Sequence, residues 1–178
     1  PYDRLVVSPG IDLRYDSVPG WGREHETAMP HAWLAGEQTQ LLKTRLDAVP
    51  DGGTIVMIAP PNPYRCPPGP YERISMVAWT LSKMNPTAKI LLVDPKEKYS
   101  KQGLFEDGWM RHYPGMIERI GPDFGGNNVE VRPDAMEVVI DGAVQKVDVC
   151  NVIRGNLTRH LAGNDVADVN FLHRPINH

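Results

Sequence analysis

Two short apolar runs with an amphipathic segment between them constrain the fold of this chain more than any other feature. Residues 54–59 and 89–94 are nearly all apolar, as strands of a parallel sheet are when both of its faces are covered. Between the two runs, apolar side chains recur at the spacing of one helix face: Ile74, Val77, Ala78, Leu81 and Met84. A strand, a helix and a second strand in this order predict a βαβ crossover in a parallel sheet.

The other segments extend this pattern. Residues 36–49 and 103–120 are predicted to be helical, the second with a break near Pro114. Three alternating segments and one more apolar run follow them: 129–132, 136–141 and 143–147, and then a buried strand over 147–153. The sequence therefore predicts an α/β fold with a Rossmann-like parallel sheet, helical crossovers and a small antiparallel β insert.

The loop after the first apolar run carries Cys66, the residue with the most evident chemistry. In a nucleotide-binding domain this turn is rich in glycine and holds a pyrophosphate. Here the loop offers one glycine, five prolines from Pro61 to Pro70, and a thiol. Thiolate is favoured near a helix N-terminus and beside a cation, and Cys66 has Arg65 next to it and a predicted helix start at Pro70. Cys66 is therefore a candidate redox nucleophile, and the alternative is a quiet cysteine in a proline-rich loop.

The second cysteine, Cys150, lies inside an apolar run and is predicted to be a core residue. A disulfide between Cys66 and Cys150 is an alternative in an oxidising compartment. Asp94 ends the second apolar run, roughly where an acidic residue holds the ribose of a bound dinucleotide. Because the glycine signature is absent, Asp94 is predicted to form a strand-end turn, and NAD(P) binding is not expected.

The remaining charged and aromatic residues are predicted to be structural. Lys96, Lys98 and Lys101 are interpreted as a solvated face, and the six histidines are expected on surfaces or loops because none has a metal-ligand spacing. The aromatic side chains of the helices and loops are expected in the core: Trp79, Tyr99, Phe105 and Trp109. A formal net charge of -3 over 178 residues gives no broad basic face for nucleic acid, and no apolar run approaches the roughly 20 residues of a membrane span.

Four stretches of the chain carry a family resemblance: Tyr2-Asp-Arg-Leu-Val-Val-Ser-Pro-Gly10, His31-Ala-Trp-Leu-Ala-Gly-Glu-Gln-Thr39, Arg65-Cys-Pro-Pro-Gly-Pro-Tyr-Glu-Arg-Ile74 and Ser100-Lys-Gln-Gly103. The chain up to Ile153 resembles the central part of the flavoprotein subunit of flavocytochrome c sulfide dehydrogenase. The resemblance implies an FAD domain, a central domain shaped like an NAD(P)-binding domain that does not use NAD(P), and a C-terminal domain.

The resemblance also implies a function. Family members are periplasmic, oxidise sulfide at FAD and pass electrons to a c-type cytochrome subunit. By this resemblance Cys66 is one half of a redox-active disulfide whose partner lies in the C-terminal part, beyond this chain. Contacts to the cofactor are expected from Ser8, Pro9 and Gly10, where the chain leaves the FAD domain, and from Arg65 and Pro67.

Three parts are expected along the chain. Residues 1–35 are the end of an FAD-domain segment with a crossover linker, residues 36–153 the central NAD(P)-binding-like domain, and residues 154–178 a C-terminal connecting segment. Both ends are expected to be cuts in a longer protein, so the isolated chain is expected to lack FAD and to be inactive. After residues 151–153 the family continues with Pro-Pro-Gln, whereas this chain has Arg-Gly-Asn-Leu-Thr.

Two other functions are compatible with the same residues. One is a fragment of a sulfide:quinone oxidoreductase-like flavoprotein, which would need a membrane-facing apolar element in its C-terminal part. The other is a non-catalytic domain that docks a cytochrome and in which Cys66 is inert.

Overall fold

The computed structural model describes residues 11–153 and 155–158. Nine strands lie in this part of the chain: β1 (Ile11–Leu13), β2 (Thr54–Ile58), β3 (Lys89–Val93), β4 (Ile117–Ile120), β5 (Val129–Arg132), β6 (Glu137–Ile140), β7 (Ala143–Lys146), β8 (Val149–Val152) and β9 (Asn156–Thr158). Three α-helices lie among them: α1 (Glu37–Asp47), α2 (Gly69–Met84) and α3 (Gln102–His112).

The main sheet has four parallel strands in the order β4-β3-β2-β8. Helix α2 connects β2 to β3, and α3 connects β3 to β4, so each of these two pairs is joined by a helical crossover. The chain then returns to place β8 on the other side of β2, which makes the junction of β2 and β8 the point where the strand order reverses. Ligands of open α/β sheets bind beyond the carboxyl ends of the strands at such a point. The α/β prediction is confirmed.

Two apolar clusters cover the two faces of this sheet. Because strand residues alternate between faces, Ile55 and Met57 pack in one cluster with α2, while Val56 and Ile58 pack in the other. The antiparallel insert, in the order β5-β6-β7, contributes Val138 and its neighbours to the second cluster. The insert is thus present as predicted, and it replaces a helix as the cover of that face.

The predicted helix over residues 103–120 is wrong in its second half. Helix α3 ends at His112, and the last four residues of the predicted span form β4, which pairs in parallel with β3. Gly115 has a φ of 72°, in the left-handed region, and with the preceding proline it turns the chain away from the helix. At the end of α2, Met84 is 58% exposed and does not belong to the buried stripe that was predicted for it.

Candidate functional site

The loop between β2 and α2, residues 59–68, lies at the carboxyl end of the parallel sheet and is called here the Cys66 loop. Cys66 is a free, exposed cysteine, and its φ of 63° lies in the left-handed region that side chains rarely adopt. Its carbonyl accepts a hydrogen bond from the Gly69 N–H at 2.9 Å. This turn leads directly into α2, whose N-cap is Pro68 and whose first turn contains Pro70. The loop therefore brings the thiol to the helix N-terminus, as the sequence predicts.

The Cys66 sulfur packs against the first residue of α2. A Cβ built on Gly69 would lie 3.1 Å from the Cys66 Sγ and 2.7 Å from the Cη2 atom of Trp33. Real side chains avoid contacts this short. The sulfur and the indole can therefore occupy these positions only because Gly69 has no side chain. Sulfur and indole thus share one small space above the start of the helix.

An open groove of about 670 Å³ runs between α1 and α2 and is called the α1–α2 groove. Cys66 and Arg65 lie at one end of it, next to Trp33. Its lining is largely apolar and also includes five charged residues: Lys43, Asp47, Arg65, Glu72 and Arg73. The exposed thiol therefore faces a space that can hold a molecule or a segment of chain.

A buried polar network fixes Trp33 at this groove. Arg73 donates hydrogen bonds to the carbonyls of His31, at 3.0 Å, and Ala32, and to Asn151 Oδ1 at 3.2 Å. Burial lowers the pKa of Arg73 to about 10, and its guanidinium lies 5.1 Å from the Trp33 ring centroid. Asn151 donates in turn to the His31 carbonyl at 2.8 Å. The network ties α2, β8 and the segment before α1 together.

His31 is part of this network. It lies in the loop before α1, one of the two locations predicted for the histidines, but it is not at the surface. The side chain is buried, and its Nδ1 accepts a hydrogen bond from the Trp33 N–H at 2.9 Å. Its Nε2 lies 3.4 Å from a Glu26 carboxylate oxygen. A polar residue in the middle of an apolar strand, as Asn151 is, was the one signal in the sequence for this network.

A second buried network, the Asp94 cluster, lies at the carboxyl end of β3. Asp94 is 0% exposed, and Lys96 Nζ and Arg119 Nε lie 2.7 Å and 3.2 Å from its carboxylate oxygens. Tyr71 donates a hydrogen bond to the same carboxylate at 3.0 Å, and its ring stacks on Tyr99 with centroids 3.6 Å apart. All the space around the carboxylate is thus taken by side chains of this chain.

Two predictions concern the Asp94 cluster, one for Asp94 and one for Lys96. The strand-end turn at Asp94 is confirmed, because its carboxylate accepts a hydrogen bond from the Lys96 N–H at 3.1 Å. The interpretation of Lys96 as part of a solvated face is wrong, since Lys96 is buried while Lys98 and Lys101 are exposed. The sequence concealed this pair, because the local pattern does not distinguish Lys96 from Lys98 and Lys101.

Cys150 and the aromatic residues complete the account of the predicted positions. Cys150 is a free cysteine, 0% exposed, in the cluster on the insert side of the sheet, and burial raises the pKa of its thiol. It is a core residue as predicted, and it forms no disulfide with Cys66. Trp109 and Tyr99 are buried as predicted, but Trp79 is 55% exposed, and its predicted place in the core is wrong.

Only two of the five predicted cofactor contacts lie in the part of the chain that the structure describes. Arg65 and Pro67 are exposed on either side of Cys66. Ser8, Pro9 and Gly10 lie outside the described residues. Within residues 11–153 and 155–158, no group of three or more His, Cys, Asp or Glu side chains could hold a metal ion. No helix in that same part of the chain is long and apolar enough to cross a membrane.

The comparison with protein families decides what these features belong to. Residues 39–154 match the model of the central domain of the sulfide dehydrogenase (flavocytochrome c) flavoprotein chain. This chain belongs to that family. The match covers more than half of the sequence and contains Cys66, Asp94 and Asn151. The Asp94 cluster and most of the groove therefore lie within the matched residues, while Trp33 and Leu34 of the groove precede them. Membership places the chain in the flavoprotein of an oxidoreductase, and the family name associates that flavoprotein with a cytochrome.

Proposed function

We propose that this chain is the central domain of an FAD-dependent sulfide dehydrogenase, in which Cys66 is one half of a redox-active disulfide. One observation carries the proposal: within a domain of this family, a free and exposed cysteine lies at the carboxyl end of the sheet and opens onto the α1–α2 groove. Thiol–disulfide exchange requires access of this kind. The partner cysteine would come from another part of the flavoprotein, because Cys150 is buried.

The chemistry follows from the disulfide. Hydrosulfide attacks one sulfur of the Cys66 disulfide, so a new S–S bond forms while the old one breaks and the second cysteine leaves as a thiolate. The role of this chain is to hold Cys66 at the groove, where the substrate and the partner cysteine can both reach it. FAD, when bound in the whole flavoprotein, would accept the electron pair that is then passed to a c-type cytochrome.

The described residues next to Cys66 fit a contact with a flavin. Arg65 and Pro67 flank the cysteine and are exposed, so the loop presents a cation and a rigid turn to a cofactor held elsewhere in the flavoprotein. We propose Arg65, Pro67 and the residues Ser8, Pro9 and Gly10 as its contacts with FAD. The division into residues 1–35, 36–153 and 154–178, and a periplasmic location, remain predictions from the resemblance.

The proposal includes no NAD(P) site because of the Asp94 cluster. The carboxylate that would bind a ribose is held by Lys96, Arg119 and Tyr71. A dinucleotide would have to break a buried ion pair in order to use it, and breaking such a pair is costly.

The test is sulfide-dependent reduction of a c-type cytochrome by the flavoprotein that contains this domain. Cys66→Ser is expected to abolish turnover, while Cys150→Ala, which removes the other thiol, is expected to keep it. Retention of full turnover in Cys66→Ser would contradict the proposal.

A docking function is the second candidate, and one feature of α2 favours it. Met76 is 71% exposed next to Trp79, so the outer face of α2 presents two large apolar side chains to solvent. Docking alone predicts that Cys66→Ser keeps turnover, whereas Met76→Glu weakens binding of the cytochrome. The two candidate functions therefore give opposite results for the same cysteine variant.

A further inference from the structure

Two side chains, Tyr64 and Lys96, connect the Cys66 loop to the buried Asp94 carboxylate. Lys96 Nζ, which is paired with Asp94, also donates a hydrogen bond to the Pro60 carbonyl at 2.6 Å, where the loop leaves β2. The Tyr64 hydroxyl donates to the Pro67 carbonyl at 2.6 Å, immediately after Cys66. Lys96 thus holds the beginning of the loop, and a hydrogen bond within the loop fixes the backbone next to Cys66.

The two side chains also contact each other. The Lys96 ammonium lies 5.0 Å from the centroid of the Tyr64 ring, within the range of a cation–π interaction. Burial raises the pKa of Tyr64; a hydrogen bond with Tyr71 lowers it in part, and the electrostatic influence of Asp94 and Cys66 raises it. Tyr64 therefore contacts the lysine that is paired with Asp94, and it interacts electrostatically with both Asp94 and Cys66.

The composition of the loop explains why it depends on side-chain donors. Five of its ten residues are prolines, which have no N–H to donate. The left-handed backbone of Cys66, with φ at 63°, is unfavourable for a residue with a side chain and persists only where its surroundings hold it. Lys96 supplies that support from outside the loop through its hydrogen bond to the Pro60 carbonyl, and Tyr64 supplies it from within through its hydrogen bond to the Pro67 carbonyl.

We propose that Tyr64 and Lys96 are positioning residues for Cys66, and that they anchor its loop to the acid which in a dinucleotide-binding domain would hold a ribose. The proposal rests on the proposed function of Cys66 as a redox cysteine. In this domain the strand-end acid, through Lys96, stabilises the loop that carries the thiol.

The experiment compares Tyr64→Phe with the unchanged chain. The substitution keeps the ring and removes only the hydroxyl, so the fold is expected to be retained. Two quantities are measured: hydrogen exchange of the Gly69 amide, whose partner is the Cys66 carbonyl, and the rate of Cys66 alkylation by iodoacetamide as a function of pH. Loss of one hydrogen bond is expected to speed exchange by roughly three- to tenfold and to change the alkylation profile by a similar factor.

Matched variants separate anchoring from a general loss of structure. Tyr113→Phe removes a hydroxyl from a half-buried tyrosine after α3, away from the loop, and is expected to leave both quantities unchanged. Lys96→Met should speed Gly69 exchange, whereas Lys98→Met, at an exposed neighbour, should not. The proposal is overturned if Tyr64→Phe matches the unchanged chain, or if Tyr113→Phe has the same effect as Tyr64→Phe.

The outcome is distinguishable from failure of the proposed function. If Cys66→Ser keeps sulfide turnover, the redox function of Cys66 is wrong, and the positioning proposal that rests on it is overturned as well, even where the exchange data show that the loop is anchored. If Cys66→Ser abolishes turnover and Tyr64→Phe changes neither exchange nor alkylation, only the positioning proposal is overturned.

Discussion

The Cys66 sulfur lies 3.1 Å from the point that a Cβ on Gly69 would occupy. The Trp33 ring lies even closer to that point, at 2.7 Å. In Gly69→Ala the new methyl group would therefore displace both the thiol and the indole. We expect a loss of about 1–3 kcal/mol in the free energy of unfolding, as for other overpacked sites, and a changed alkylation rate at Cys66. Urea unfolding and mass spectrometry of the alkylated protein measure the two effects.

Gly108 offers a matched control for this substitution. It lies inside α3, and a Cβ built there would meet nothing within 4 Å. Gly108→Ala is expected to stabilise the protein by about 0.5–1 kcal/mol, because alanine loses less backbone entropy in a helix. The crowding argument fails if both glycine variants change stability in the same direction.

Lys96→Met tests the energetic importance of the Asp94 cluster. The variant leaves a fully buried carboxylate with Arg119 as its remaining cation. Removing one partner of a buried ion pair typically costs about 3–5 kcal/mol, and we expect a value near the lower end because Arg119 stays in place. Chemical unfolding at neutral pH gives the measurement. Lys98→Met, at an exposed position, should stay within about 0.5 kcal/mol of the unchanged chain.

The difference between Lys96 and Lys98 illustrates what the sequence can and cannot predict. Continuous apolar runs predicted the central strands correctly, because a parallel strand covered on both faces needs apolar residues at every position. The partner of a buried charge is set by tertiary packing, and the local sequence of Lys96 resembles that of its exposed neighbours. The edge strand β4 was predicted to be helical for a different reason. It has only four residues, two of them isoleucines, and so short a pattern fits both the period of a strand and the period of a helix.

The candidate site was predictable to a similar extent. Cys66 could be found because a cysteine in a proline-rich loop after a buried strand is a local feature. Trp33, Arg73 and Asn151 come from three distant parts of the chain, and only the folded sheet brings them together. In the sequence, long-range contacts of this kind are indicated at most by a single polar residue within an apolar run.

The buried thiol of Cys150 should make the free energy of unfolding depend on pH. Burial raises the pKa of its thiol in the folded state, whereas in the unfolded state the thiol ionises near its ordinary value of about 8.5. Above that pH the unfolded state binds fewer protons than the folded state, so stability falls as pH rises. The expected slope approaches about 1.4 kcal/mol per pH unit, and below about pH 8 this contribution is constant. Urea unfolding under reducing conditions at several pH values measures it.

Cys150→Ala is the control for the pH prediction. The substitution removes the ionisable group from both states, so the part of the slope that is due to Cys150 should disappear between about pH 8.5 and 10. Any change in the free energy of unfolding at neutral pH is separate, since only the slope bears on this prediction. An unchanged slope in the alanine variant would mean that another group causes the pH dependence.

Two tryptophans test the boundary between core and surface. Trp79 is 55% exposed and has the Lys83 ammonium 3.3 Å from its ring centroid. Trp109 is 7% exposed, and its indole N–H donates a hydrogen bond to the Ser75 hydroxyl at 2.8 Å. We expect Trp109→Ala to cost about 3–5 kcal/mol, as for a buried tryptophan, and Trp79→Ala to cost about 1 kcal/mol or less, chiefly the cation–π contact. Equal shifts of the urea midpoint in the two variants would contradict the exposed position of Trp79 and, with it, the apolar outer face of α2.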